Sequence, residues 1–526
     1  MLDPRAVREF KARSLRNSDR AKAFTSRALQ RKLEKLDPPP EFALELYDHQ
    51  KACFLLCEKN PFYFLSLDMG LGKSAVMASL FRYLWENRRA DRMLILVPYA
   101  TNIPTWEREL KKFAPGFDYE LLDSDKTTEQ KYSQFWGKTE IVVMTYKGLI
   151  TLLCKRKGAK KDTPKKKLKG LPFEPDPKLI RKFHKHFDML VCDESTAFKN
   201  HQSLTFRILK ALRKGVKRLH NLSGMPFGSN PQDLWAQFYA IDQGETLGET
   251  LGLFREAFFT QTKNTWGWSR ANQKTNWNFD YSLKRSEEDN LYRTLRHSSI
   301  RYESSECQDL PPTIGGIANP MIRKVSQCRE QYRFTEMMED GLRAARTSGE
   351  PIDAIYYKLR CISSGYFPID GGYKDFDENP KLDELMSLIE ESGGQKIIVF
   401  SHHHHTIDLI RARLKSAKVS YAEIHGKVKR KNEQLEKFET KAQVLLASGA
   451  AAYGLNLQFC HITVFYESPD DIVARRQAEK RTDRHGQEAD TVYLYDLLVH
   501  STADAKIIES LQSGKRVQDI VIDGVY

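Results

Sequence analysis

The run Ser66-Leu67-Asp68-Met69-Gly70-Leu71-Gly72-Lys73-Ser74 constrains this chain more than any other stretch. An apolar tetrad, Phe62-Tyr63-Phe64-Leu65, precedes it and predicts a buried strand; Ala75–Trp85 follows with the spacing of an amphipathic helix. Strand, glycine-rich turn and Gly-Lys-Ser at a helix start form the arrangement that cradles nucleotide phosphates. Glycines let backbone N–H groups turn inward, and the helix N-terminus places partial positive charge beside the anion. In that reading Met69, Gly70, Leu71 and Gly72 form the cradle, Lys73 reaches the β- and γ-phosphates, and the Ser74 hydroxyl ligates Mg²⁺. The strict pattern asks for glycine where Leu67 stands. A bare Gly-Lys-Ser also recurs by chance, so the remainder of the chain has to decide.

A second acidic element supplies the missing half. Val191-Cys192-Asp193-Glu194-Ser195-Thr196 ends an apolar strand with adjacent carboxylates, which are costly to bury unless a cation or a water uses them. Asp193 holding Mg²⁺ and Glu194 activating water meet that need. Around these motifs, short apolar strands at Met93–Val97, Ile141–Thr145 and Leu219–Ser223 alternate with helical stretches such as Thr105–Phe113 and Leu204–Arg213. This alternation predicts an α/β fold built on a parallel sheet, with ligands at the carboxyl ends of its strands.

The alternation stops over 241–375, where Glu287–His297, Glu330–Thr347 and Ile352–Ile362 have helical spacing, and resumes at Lys381 with strands at Ile397–Phe400, Ala422–His425, Val444–Ala447, Ile462–Tyr466 and Val492–Leu498. The expected organisation is a basic helical extension over 1–40, a first α/β domain over 41–240, a helical insertion over 241–375 and a second α/β domain over 376–526. A chain of 526 residues exceeds one ordinary core, in keeping with several domains. The net charge of +14 points to a polyanionic partner. Two segments concentrate that charge: the lysine-rich Cys154–Gly170, and Lys263–Tyr281, where aromatics interleave with bases. Either one contacts nucleic acid or is, respectively, a solvated loop and a small aromatic core. No apolar run spans a bilayer, and eight scattered cysteines without CxxC pairs fit a reducing compartment. The internal run His402-His403-His404-His405 cannot turn all its rings to one ion. Arg481 and Arg484, three apart on a helical face, serve either a surface ion-pair ladder or the charge of a phosphoryl-transfer site.

Taken in order, these stretches resemble the Swi/Snf-like ATPases of helicase superfamily two, over most of the chain from Leu46 onward. The resemblance implies two RecA-like parallel-sheet domains in tandem, with ATP and Mg²⁺ in the cleft between them. It implies Gln50 as adenine reader and Asp68–Ser74 as a phosphate loop that dispenses with the first glycine. Pro98, Trp106, Thr145, Tyr146, Ser401 and Ser448 take the places of strand-contacting residues. Thr196 stands where the family carries a histidine that links nucleotide state to the neighbouring motif, Leu222–Pro226. Gly454, within Gly454-Leu455-Asn456-Leu457, and Gln477 fall in motifs that touch nucleotide. The stretch Gln477–Gln487 resembles the arginine-finger motif, with Arg481 and Arg484 as fingers. The implied activity is ATP-dependent translocation on double-stranded DNA by a monomer, in bacterial or viral-host cytoplasm, or in the nucleus of a eukaryote. Strand unwinding or annealing, and an ATP-gated DNA clamp with little turnover, are the rival readings.

Overall fold

The computed structural model describes residues 17–123, 126–157, 172–224, 230–264, 278–307, 312–348, 353–428, 430–448, 457–482, 487 and 489–513. Most of the lysine-rich loop, Trp266–Trp277 of the aromatic–basic run, Met225-Pro226, Gly454 and Arg484 lie outside them. The chain divides into two compact units, Met1–Cys307 and Gln308–Tyr526.

The first unit is built on seven parallel strands: β1 (Phe62–Leu67), β2 (Met93–Val97), β3 (Tyr119–Leu122), β4 (Ile141–Thr145), β5 (Met189–Cys192), β6 (Arg218–Ser223) and β7 (Ser299–Tyr302). Their order is β7-β1-β6-β5-β2-β4-β3. β2 and β5 are apolar on successive residues, and β1 is so except at Ser66, because helices cover both sheet faces and both sets of side chains are buried; β6 is buried along its whole length although it carries Arg218, His220, Asn221 and Ser223. Each fully buried Leu, Ile or Val contributes roughly 1.5–3 kcal/mol. Since every strand runs the same way, the turns after β1, β2, β4, β5 and β6 gather at one edge.

The second unit repeats the plan. Strands β8 (Thr313–Gly315), β9 (Met321–Val325), β10 (Ile397–Ser401), β11 (Tyr421–Ile424), β12 (Val444–Ser448), β13 (Ile462–Phe465) and β14 (Val492–Val499) form a parallel sheet. Its order is β8-β14-β13-β10-β12-β11, with β9 also on β14. Two parallel-sheet α/β units in tandem match the expected fold class.

The segment 241–375 is more than helix. β7 completes the first sheet against β1, whereas β8 and β9 join the second against β14. These strands escaped the hydrophobic pattern for a physical reason. β9, Met-Ile-Arg-Lys-Val, alternates half-buried and exposed positions at a sheet margin, and β7 holds only four residues with an exposed arginine. Residues 17–33 also prove docked. Helices Asn17–Lys22 and Ser26–Leu33 pack on the first unit through buried Leu29 and Leu33, with the ion pairs Lys22–Glu306 and Arg296–Asp19 at 2.8 Å. Among the described residues no helix is long and apolar enough to cross a membrane.

Candidate nucleotide site

Helix α1 (Asp48–Lys59) and helix α2 (Lys73–Glu86) frame the turn after β1. Gly70 and Gly72 take φ of +84° and +75°, values that cost an L side chain roughly 1–2 kcal/mol. Gly72 carries a second constraint: a Cβ there would lie 2.1 Å from Gln50 Nε2. Gln50 is buried; its Nε2 donates to the Leu71 carbonyl at 3.3 Å, and its Oε1 accepts from the Tyr47 N–H at 3.1 Å. His49 Nε2 meets the same Leu71 carbonyl at 3.0 Å. Helix α1 thus braces the turn, with Met69 and Leu71 buried beneath it and Gly70 exposed at its crest. Helix α2 starts at Lys73, and its N-cap Gly72 brings no side-chain cap, so the positive end of the helix dipole lies at the turn. Lys73 Nζ donates to the carbonyls of Leu67 at 2.7 Å and Asp68 at 3.3 Å, and Ser74 sits half-buried beside it.

The acidic turn follows β5 at the same edge. Asp193 Oδ2 accepts from Trp106 Nε1 at 2.8 Å, Oδ1 accepts from the Glu194 N–H at 3.1 Å, and the Asp193 carbonyl accepts from the Tyr146 hydroxyl at 2.9 Å. Burial, followed by the neighbouring Glu194 charge, pushes the Asp193 carboxyl up to about 6, against the pull of Trp106 and Lys73. Glu194 adopts φ +46°, a strained value for a non-glycine residue, and its Oε2 is buried without a hydrogen-bond partner among the described residues. β6 separates β1 from β5 and ends at Ser223, whose buried hydroxyl also has no hydrogen-bond partner among the described residues. A Cβ on Gly224 would lie 3.5 Å from the Leu67 carbonyl. Phosphate turn, acidic turn and the end of β6 therefore form one locality.

Trp106 and Tyr146 correct the sequence reading. Expected on a nucleic-acid surface, both are buried, Trp106 only 1% exposed, and both spend their donors on Asp193. Thr145 caps its helix by accepting from the Gly148 N–H at 3.1 Å, and Pro98 is half-buried after β2. Gln237 went unnoticed in the sequence, since it interrupts an apolar helix without a motif around it.

In the second unit Ser401 is likewise turned inward. Its hydroxyl donates to Glu467 Oε2 at 2.7 Å, which also accepts from the N–H groups of His402 and His403. Glu467 Oε1 accepts from Ser364 and Thr406 and lies 3.1 Å from His403 Nδ1. The histidine run thus disperses: His403 to Glu467, His405 to Asp375 at 2.6 Å, His404 onto the His425 ring. Ser448 ends β12 half-buried, while Gln477 and Arg481 are buried. Nearby Arg475, which sequence did not single out, is fully buried and forks onto Asp496 at 2.5 and 2.7 Å.

Comparison with known proteins agrees with this arrangement. The SNF2-related domain matches residues 47–306, and the helicase conserved C-terminal domain matches 380–486. The chain carries an SNF2-related domain followed by a helicase C-terminal domain. An uncharacterised ATP-dependent helicase of Mycoplasma genitalium is 25% identical over 85% of this chain and 39% of its own length. Protein p41 of Acyrthosiphon pisum secondary endosymbiont phage 1 is 24% identical over 64% of this chain and 73% of its own. The chain therefore spans well under half of the first relative. The SWI2/SNF2 ATPase core of Sulfolobus solfataricus, solved with dsDNA, shares 21% identity over 92% of this chain and 95% of that one, with a TM-score of 0.39. The first SNF2-related match opens at Tyr47, so the docked helices of residues 17–33 precede it.

Proposed function

We propose that this chain is an ATP-driven translocase that tracks on double-stranded DNA. One observation carries the catalytic part: a buried Glu194 carboxylate oxygen, without a hydrogen-bond partner among the described residues, on a strained turn at the sheet edge that holds the Gly70–Gly72 cradle. A carboxylate oxygen is retained in that condition where a substrate water is to be received. The cradle binds the phosphates through the uncapped start of α2. Lys73 exchanges its two loop carbonyls for phosphate oxygens, and Gln50 reads the base. The donor set also fits Mg²⁺, because Ser74 offers a hydroxyl and Asp193 a carboxylate with lone pairs to spare. The ion, when bound, neutralises phosphate charge. Glu194 orients the water and takes its proton as the water oxygen bonds to the γ-phosphorus and ADP departs. Arg481 and Arg484 neutralise charge on the transferred group, a contribution of about 10³–10⁵ in rate at related sites.

The DNA part of the reading is supported by the net charge of +14 and by the match of residues 47–306 to the SNF2-related domain. Contacts to the phosphate backbone are sequence-blind and salt-sensitive, as a tracking motor requires. The test is ATP turnover of the purified chain with duplex, single-stranded and forked DNA and with RNA. Duplex should stimulate most, with a steep loss on adding salt. Preference for RNA, or for forks with strand displacement, replaces the duplex-tracking reading.

A further inference from the structure

Helix α3 (Leu234–Asp242) is apolar on nearly every face: Leu234, Trp235, Ala236, Phe238, Ala240 and Ile241 are all buried. One polar side chain sits among them. Gln237 is 0% exposed, and its groups are matched to partners on two separate motifs. Its Oε1 accepts from the Ser195 hydroxyl at 2.6 Å, directly after the Asp193-Glu194 pair. Its main-chain carbonyl accepts from Asn221 Nδ2 at 2.8 Å, on β6 two residues before Ser223. Its Nε2 turns back to the Asp233 carbonyl at 2.9 Å, which fixes the amide's orientation. Ser195 and Asn221 are buried as completely as Gln237. An amide in an apolar helix is retained only where its hydrogen bonds are made; its side-chain bond to Ser195, with the main-chain bond to Asn221, holds the acidic turn and the strand beside the phosphate turn to one residue of α3.

Glu194 explains why such a tie is needed. Its φ of +46° persists only if surrounding structure over-determines it, and Ser195 is the next residue along the turn. We propose that Gln237 is a positioning residue: through Ser195 it fixes the acidic turn in register with the end of β6, so that Glu194 meets the water at the γ-phosphate. Gln237 acts through Ser195 and not on the reacting atoms. This inference rests on the ATPase reading above.

The test measures steady-state ATP turnover with saturating duplex DNA, together with the Kd of a fluorescent ATP analogue, for wild type, Ser195→Ala, Gln237→Leu and the double variant. A misplaced catalytic group costs up to about a hundredfold, so each single variant should lose about ten- to a hundredfold in kcat. KM for ATP and the analogue Kd should stay within about threefold, and the double variant should fall no further than the worse single one. Undiminished kcat in both single variants overturns the proposal, as do additive losses or a matching loss of nucleotide binding. If Gln237→Leu does not fold, Ser195→Ala breaks the same bond from a different element with a smaller change in volume and decides alone on kcat against Kd. A wild-type chain without any turnover overturns the parent reading along with this one, whereas active wild type with unaffected variants overturns this one only.

Discussion

The Trp106 indole N–H donates to Asp193 Oδ2 at 2.8 Å, joining the helix after β2 to the acidic turn after β5. An N–H to a carboxylate contributes about 1.5–3 kcal/mol, so its loss leaves Asp193 free to rotate. Trp106→Phe should lower kcat for ATP about tenfold and leave duplex affinity within about twofold. Duplex binding by gel shift, read beside turnover, separates the alternatives. A large loss of DNA affinity, with turnover restored at high DNA, would return Trp106 to the nucleic-acid surface.

Lys73 and Arg484 should fail in different ways. Lys73→Ala removes the cation of the phosphate cradle, so nucleotide affinity and turnover fall together. Arg484→Ala should keep nucleotide affinity while hydrolysis drops by about 10³-fold or more. Equilibrium titration with a fluorescent nucleotide, beside turnover, distinguishes the two. Retained hydrolysis in Lys73→Ala removes that residue from the mechanism, and a pure binding defect in Arg484→Ala ends its role as a finger.

Gly72 faces two obstacles to substitution, and they can be parted. Gly72→Ala places a methyl 2.1 Å from the Gln50 amide and forces alanine to φ +75°, the latter alone costing roughly 1–2 kcal/mol. The single variant should bind nucleotide at least tenfold more weakly. Adding Gln50→Ala relieves the overlap but not the backbone strain, so unfolding free energy should recover in part. Full recovery on denaturant titration would show that φ at this position is immaterial, and no recovery would show that the overlap is.

The second unit should respond to acid through Glu467. Burial raises this carboxyl, but the His403 hydrogen bond, the charges of His403 and Arg360 and the Ser364 hydroxyl outweigh it and hold it well below its usual range. A carboxyl depressed on folding contributes stability that is complete above its unfolded value of about 4.3 and drains as pH falls toward the folded one. Glu467→Gln should therefore unfold earlier at neutral pH yet lose less between about pH 5 and pH 3 than wild type. Thermal melts across that range test the sign; parallel curves for the two proteins would remove Glu467 as the titrating group.

Much of the architecture was legible in the chain because burial writes itself into composition. Strands such as Met93–Val97 and the Ile397–Phe400 part of β10 are covered on both faces, so their residues are apolar in succession. Gly70, Gly72 and Lys73 were legible for a similar reason, since few residue types tolerate positive φ or carry a mobile cation into a loop. Marginal strands such as Met321–Val325, half in water, left no such trace and were missed.

The sequence alone determined the plan of two parallel-sheet units and marked out a glycine-rich turn, an acid pair and two arginines as candidates. Tertiary structure decided what each neighbouring polar or aromatic group does with that equipment. Trp106, Tyr146, Ser401 and Gln237 look alike in a sequence whether they face a ligand or the interior. Only the placement of a partner, such as Asp193 for Trp106 or Ser195 for Gln237, spends their hydrogen bonds. Those partners lie 87 and 42 residues away along the chain. Local pattern reports whether a side chain is buried, while the identity of what it meets there depends on how distant elements pack.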